Sequence, residues 1–364
     1  MKATFTFTLI SIIGCLACHA QGKYQVSGRV AGIADGSEIL LVRDDGAKPD
    51  TLATAVLKNG TLFLSGELDV PAAGGYLASA DGVLHVPLIV EPANIMLNVS
   101  MQGALLQGGK QQELFARYNQ IGQAYAAAQA QLQAQARQTG ADLDALQAQM
   151  NHAYRESVEQ ANALMQANAD EYATAYVIAL GALNETEESL QQKYGLLGDA
   201  AKASVPGKRI AAALDRFAKL AVGKVAPDFA ATRPNGDTFS LYGVPAKYKL
   251  LVFWASDDAA SRQANPSLIR LYQQFRPRGL EIVGISLDGD LMAWRRAIEQ
   301  DGISIWTNGS DLEGRSSGIA SLYMVGASLP YTVLIGEENK IVAKGLLGDD
   351  LTRQLNELTK KKKK

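Results

Sequence analysis

Leu250-Leu251-Val252-Phe253-Trp254-Ala255-Ser256-Asp257-Asp258-Ala259-Ala260-Ser261-Arg262 decides the fold of the last third of the chain. Residues 250–254 are apolar and β-prone and predict a strand, while residues 262–275 predict a helix. Between them Asp258 suits a helix N-cap: its short carboxylate can accept a backbone N–H near Ser261 and complements the helix dipole. Working outward, residues 281–287, 331–335 and 341–344 predict further strands, and residues 291–300 and 350–358 further helices. Strands that alternate with helices bury both sets of apolar faces as an α/β sheet, expected here over residues 222–359.

Upstream the pattern changes twice. Across residues 21–107, short β-prone runs at 25–30, 38–42, 51–56, 61–65, 75–78, 84–90 and 95–99 are separated by turn residues, predicting a small β-rich domain, an antiparallel sandwich or open barrel. Asn59-Gly60 is a hairpin signal, since both residues tolerate positive φ. Residues 108–221 are rich in Ala, Gln, Leu and Glu, good helix formers. Thr139-Gly140 breaks the first part into two long helices, an antiparallel hairpin that either braces its neighbours or offers a face for self-association. Shorter helices are expected at 171–183, 185–197 and 208–221, with Asp170 and Asn184 as capping residues and an acidic first turn at 186–188.

Among the 364 residues, 35 Lys and Arg nearly balance 37 Asp and Glu, which leaves no general electrostatic footprint for nucleic acid. Lys2, the apolar stretch 3–16 and the small residues after it have the pattern of a secretory signal over residues 1–20. No later apolar run reaches the about eighteen residues that a spanning helix needs. Two processing readings stay open: Ile12-Ile13-Gly14-Cys15 resembles a lipobox, and Cys18-His19-Ala20 before Gln21 suits ordinary signal peptidase. Cys15 and Cys18 are thus the lipidation candidates, and acylation would tether the chain to a membrane. They are also the two cysteines of the sequence, so residues 19–364 contain no thiol. An extracytoplasmic location is expected, in the periplasm or associated with an outer membrane. Lys360–Lys364 predicts a solvated tail, with a handle on anionic lipid or polysaccharide as the rival reading.

Several ordered blocks carry a resemblance: Val222-Gly223-Lys224-Val225-Ala226-Pro227-Asp228-Phe229, the strand with Ala255-Ser256, Asn265-Pro266, Gly284-Ile285-Ser286-Leu287-Asp288, Ala293-Trp294 and Leu329-Pro330-Tyr331-Thr332-Val333-Leu334-Ile335. Together they resemble the TlpA/ResA-like branch of the thioredoxin superfamily. The preceding β-rich and helical region is similar to the domain often fused to this branch in Bacteroidetes lipoproteins and periplasmic proteins. The resemblance implies a thioredoxin-like fold and, ordinarily, thiol–disulfide oxidoreductase activity. It places Asp258 at the position of the attacking cysteine, Ser261 at that of the resolving cysteine, Ala259-Ala260 where the family has Gly-Pro, and Ala264 where many members carry a glutamate used in proton transfer. Pro330 matches the family's cis-proline.

Thiol–disulfide exchange requires a thiolate that attacks sulfur through a mixed disulfide, and neither a carboxylate nor a hydroxyl can carry that couple. The sequence therefore predicts a degenerate, redox-inactive site and a protein- or peptide-binding or scaffold module of the cell envelope, with a groove drawn from Trp254, Asp257, Asp258, Leu329, Pro330 and Tyr331. The alternatives are an oxidoreductase of the TlpA/ResA type, as the resemblance implies, and a lipoprotein whose β-rich domain does the binding while the thioredoxin-like domain is only a spacer. No metal is expected, because Asp257-Asp258 is the one acidic cluster near the motif and adjacent carboxylates diverge. Hydrolysis is disfavoured because the last third holds no histidine to activate Ser256 or Ser261, the chain's histidines being His19, His85 and His152. With no Walker-type loop, no Gly-x-Gly-x-x-Gly after a strand and no aromatic and basic array, no cofactor and no nucleic acid are expected.

Overall fold

The computed structural model describes residues 22–45 and 48–360. They fall into two compact units, Met1–Val177 with Leu196–Pro206, and Ile178–Gly195 with Gly207–Lys364. Residues 1–20, expected from sequence to be a secretory signal, with Cys15 and Cys18, and Lys361–Lys364 lie outside the described residues.

In the first unit, strands β1 (Gly22–Val30), β2 (Glu38–Arg43), β3 (Asp50–Val56), β4 (Thr61–Leu68), β5 (Ala73–Ser79), β6 (His85–Val90), β7 (Asn94–Ser100) and β8 (Gly103–Gln107) form two four-stranded sheets, ordered β4-β1-β7-β8 and β3-β2-β5-β6. Along β4, Leu62 and Leu64 are buried while Thr61, Phe63 and Ser65 are exposed, the period-two pattern of a sheet covered on one face. Val26, Ile39, Leu41, Leu62, Leu77 and Ile95 meet in one core. Two sequence expectations are corrected. The pairing is mixed, because β1 runs parallel to β7. The Asn59-Gly60 turn adopts positive φ, 50° and 65°, and closes an antiparallel bridge between Lys58 and Thr61, but the hairpin goes no further: β3 pairs with β2 and β4 with β1, so beyond the bridge the chain passes from one sheet to the other. Asp35 holds it there, its carboxylate accepting the N–H groups of Asn59 at 2.8 Å and Gly60 at 2.9 Å.

Helices α1 (Lys110–Ala136) and α2 (Leu143–Ala167) flank Gly140, whose φ is 81°. The Tyr125 and Tyr154 rings, nearly equidistant from that turn in sequence, lie 6.0 Å apart, as an antiparallel hairpin requires. Most of its buried residues cluster toward one end, with Leu114, Phe115 and Tyr118 from α1 and Leu164 and Met165 from α2, while Leu132 is buried nearer the turn. Then come α3 (Tyr172–Gly181), α4 (Glu187–Leu196), α5 (Asp199–Ala203) and α6 (Val205–Lys219). The expected caps are reassigned. Asp170 accepts the Ala200 N–H at 3.3 Å in the first turn of α5, Thr186 caps α4 by accepting the Ser189 N–H at 3.1 Å, and Asn184 accepts the N–H of Ala327 at 3.0 Å.

The second unit is built on a seven-stranded sheet ordered β10-β9-β13-β12-β11-β14-β15. Its elements run β9 (Ala230–Thr232), β10 (Thr238–Ser240), β11 (Tyr248–Trp254), α7 (Ala259–Phe275), β12 (Leu280–Ser286), α8 (Leu291–Asp301), β13 (Thr307–Ser310), α9 (Gly318–Leu322), β14 (Tyr331–Ile335), β15 (Ile341–Lys344) and α10 (Gly348–Leu358). Every residue of β11 is buried, as a central strand covered on both faces demands, and it pairs parallel with β12 and antiparallel with β14. Leu250, Val252 and Trp254 pack with Leu268, Leu271 and Phe275 of α7, Trp294 of α8 and Leu351 of α10. On the other face Phe253 meets Tyr323, ring centroids 5.5 Å apart.

Candidate functional site

The site is assembled where β11 ends and β14 begins. The antiparallel register sets Phe253 opposite Tyr331, which brings the Leu329-Pro330 peptide beside the end of β11, and that peptide bond is cis. After Trp254 the chain turns, and Asp258 in extended conformation (φ −91°, ψ 112°) starts α7. Its Oδ1 accepts the Ser261 backbone N–H at 2.7 Å, the N-cap that the sequence predicts. Helix α7 thus begins at Ala259, three residues earlier than the apolar pattern suggested, and accommodates Pro266.

Asp257 points outward with its side chain 78% exposed, 3.5 Å from the Arg315 guanidinium. Asp258 is half-buried, whereas Ser261 is fully buried and its Oγ has no hydrogen-bond partner. Ala264 is half-buried against the core. Trp254, a groove candidate on sequence, is a core residue instead: it is 2% exposed among Trp294, Leu268 and Tyr272, because the alternation along β11 turns it toward α7 and α8. Leu329 is also buried, which leaves half-buried Pro330 and Tyr331 as the accessible apolar members of the set beside the two aspartates. Burial pushes the Tyr331 phenol above its ordinary value.

Three groups that motif reasoning passed over hold this end of the sheet. Asp288, 7% exposed, accepts the Ser256 N–H at 3.1 Å and the Ser256 Oγ–H at 2.6 Å on one oxygen and the Ser286 Oγ–H at 2.5 Å on the other. Arg262 forks onto Asp301, with Nη2 at 2.7 Å from one carboxylate oxygen and Nε at 2.5 Å from the other, while its Nη1 donates to the Ser256 carbonyl at 3.1 Å. The Asp301 contact raises the Arg262 pKa. Asn265 donates to the same Asp301 carboxylate at 2.7 Å. Tyr323 donates to the Pro227 carbonyl at 2.5 Å, and burial drives its phenol far upward. On the loop that leads into Pro330, Asn184 takes the Ala327 N–H, and a Cβ on Gly326 would lie 2.4 Å from the Leu183 carbonyl oxygen. A signal for Asp288 and Arg262 existed, since both stand in the quoted blocks, but nothing in their spacing shows what they bind.

The chemistry available is limited. The Ser256 hydroxyl is committed to Asp288, and among the described residues of the second unit there is no histidine. Among the described residues no group of three or more His, Cys, Asp or Glu could hold a metal ion. No helix there is long and apolar enough to cross a membrane.

The mixed sheet with helices packed on it, the capped helix directly after the central strand and the cis-proline directly before its antiparallel neighbour define a thioredoxin-like α/β domain. Residues 222–344 match the AhpC/TSA family, and the C-terminal domain belongs to this thioredoxin family. Residues 24–115 match a domain of unknown function, DUF4369. The chain is similar to the thiol-disulfide oxidoreductase ResA of Bacillus thuringiensis, 27% identical over 143 residues that cover 39% of this chain and 79% of the relative. It is likewise similar to ResA of Oceanobacillus iheyensis, 28% identical over 144 residues that cover 38% and 72%. Among solved structures it aligns with a thiol-disulfide oxidoreductase from Bacteroides fragilis at 36% identity and a TM-score of 0.35, covering 37% of this chain and 99% of that one.

Proposed function

We propose that this protein is a redox-inactive member of its thioredoxin-like family, exported to the cell envelope, where the second unit binds an extended protein or peptide segment beside Pro330. The observation that carries the reading is the pairing of Asp258 with Ser261 in a chain whose residues 19–364 hold no cysteine. A carboxylate that caps the helix stands where the resemblance puts the attacking sulfur, so the two-electron exchange named for the relatives has no group to carry it. The apolar rim of Pro330 and Tyr331 remains beside the β11 end as the part of the site able to contact a chain.

The deciding experiment is insulin disulfide reduction with dithiothreitol as reductant, run on the wild type beside an Asp258→Cys, Ser261→Cys variant. Background activity in the wild type with gain of activity in the variant supports a scaffold that has kept its groove without its chemistry. Activity in the wild type itself overturns the proposal and returns the protein to the oxidoreductase reading. Crosslinking from cell envelope tests the binding half: a segment captured by the wild type and lost on Tyr331→Ala supports it, and capture no better than background opposes it.

A further inference from the structure

The first unit has a cleft of its own, about 380 Å³ in volume, bounded by the outer strand of each sheet, β6 and β8, and by one face of α1. Gln112, Ala116, Asn119, Gln120 and Gln123 stand at helical spacing and so present a stripe of side-chain amides to it. The two sheet edges differ. On β6 the edge is closed, because Pro87 has no N–H to offer and the Ile89 N–H donates to Gln112 Oε1 at 2.7 Å. On β8 it is open. The turn at Met101-Gln102 sets Ser100 opposite Gly103, so residues 103, 105 and 107 bond to β7, while the backbone groups of Ala104 and Leu106 turn away from it, where no described strand follows. Neither a proline nor a charged residue blunts this strand. No Asp, Glu, Lys or Arg lines the cleft, and its apolar members Val83 and Leu105 are 69% and 53% exposed.

We infer that this cleft binds an extended, uncharged peptide segment of a partner protein, which adds as a strand to the open edge of β8 and sets its other edge against the α1 amides. The bond from Ile89 to Gln112 already makes the second half of that arrangement within the chain: a helix amide takes the N–H that a neighbouring strand would otherwise take. Main-chain pairing supplies the affinity, and the exposed Val83 and Leu105 suit the alternating side chains of a strand. The electrostatics select a neutral occupant, since a charge carried into the cleft would lose water and meet no counter-ion. The site lies wholly in the first unit and is independent of the segment proposed to bind beside Pro330.

The test is equilibrium dialysis of the full chain against a pool of acetylated and amidated hexapeptides built from Thr, Val, Ser and Asn, followed by hydrogen exchange with the best-retained member at saturation. Retention of peptide together with at least about tenfold slower exchange of the Ala104 amide supports the inference, since that N–H faces away from β7 and gains a partner only from an added strand. Asn119→Asp with Gln123→Glu, both at exposed positions of α1, places charge in the cleft and should weaken retention by about tenfold or more, whereas Tyr331→Ala in the second unit should leave it unchanged. No retention of any member, or retention with Ala104 exchange unaltered, overturns the inference. Retention lost on Tyr331→Ala and kept in the α1 variant overturns it and assigns the peptide to the Pro330 site. Protection of Ala104 that rises with protein concentration in the absence of peptide gives the β8 edge to a second copy of the chain, and protection by maltotriose but by no peptide gives the cleft to a neutral saccharide; either result also overturns it.

Discussion

The Asp258 carboxylate accepts the Ser261 backbone N–H at 2.7 Å, which closes the first turn of α7 directly after the central strand β11. The contact is local and sits at the first turn of a long helix, so its worth is that of an N-cap.

Asp258→Ala should therefore lower stability by about 1 kcal/mol, while Asp258→Asn, an equally good cap, should stay within a few tenths. Urea denaturation of the three proteins checks this. Cysteine is not among the favoured caps, so the Asp258→Cys, Ser261→Cys variant should show a similar loss, and its redox assay belongs at a temperature well below its midpoint.

Asp288 should matter more. Its carboxylate accepts from Ser256 twice and from Ser286 once in a nearly closed site, and removal leaves those donors without partners. Orphaning a buried polar group costs about 1–3 kcal/mol, so Asp288→Ala should exceed the loss in Asp258→Ala and should loosen the 255–258 turn. The expected signature is faster hydrogen exchange at the Ser256 amide together with a lower urea midpoint.

The loop before Pro330 offers a steric test. A methyl on Gly326 would meet the Leu183 carbonyl oxygen at 2.4 Å, a backbone atom that cannot swing away, whereas Asn184→Ala removes a single exposed hydrogen bond to Ala327. Gly326→Ala should cost about 1–3 kcal/mol by overpacking. Asn184→Ala should cost about 1 kcal/mol or less. Equal losses in thermal melts would mean that the segment at 183–184 moves freely off the loop.

These three sites differ in how far the sequence announced them. The Asp258 cap was legible because its partner is three residues away and the run 250–254 had already fixed the strand before it. Asp288 was visible as a residue but not as a clamp, since two of its donors come from Ser256, 32 positions distant. Asn184 was misassigned for the same reason: its local setting resembles a helix start, and a tertiary acceptor role on Ala327 prevailed while Thr186 took the cap. In the sheets, the long apolar strands were readable, but β9, β10 and β13 have three or four residues each, too few for any period to show, and β8 buries Leu106 alone. The Asn59-Gly60 turn was found by its chemistry, yet its role as a crossing between sheets depends on pairings that no local pattern encodes.

Alkaline pH provides the last test, and it bears on the packing under the sheet. Burial, joined by the Glu281 carboxylate that accepts its O–H at 2.7 Å, pushes the Tyr272 phenol up to about 12. In the unfolded chain the phenol titrates near its ordinary value of about 10. Between these values the unfolded state has released the proton and the folded state still holds it, so the contribution to stability is complete below about pH 10 and is lost as pH rises through about 12. Tyr272→Phe removes that dependence. Urea midpoints measured across this window should fall more steeply in the wild type than in Tyr272→Phe, lysine titration being common to both and cancelling in the difference. Parallel curves would mean that the Tyr272 proton is not held against Glu281, and that the helix–sheet contact at this point is looser than its geometry implies.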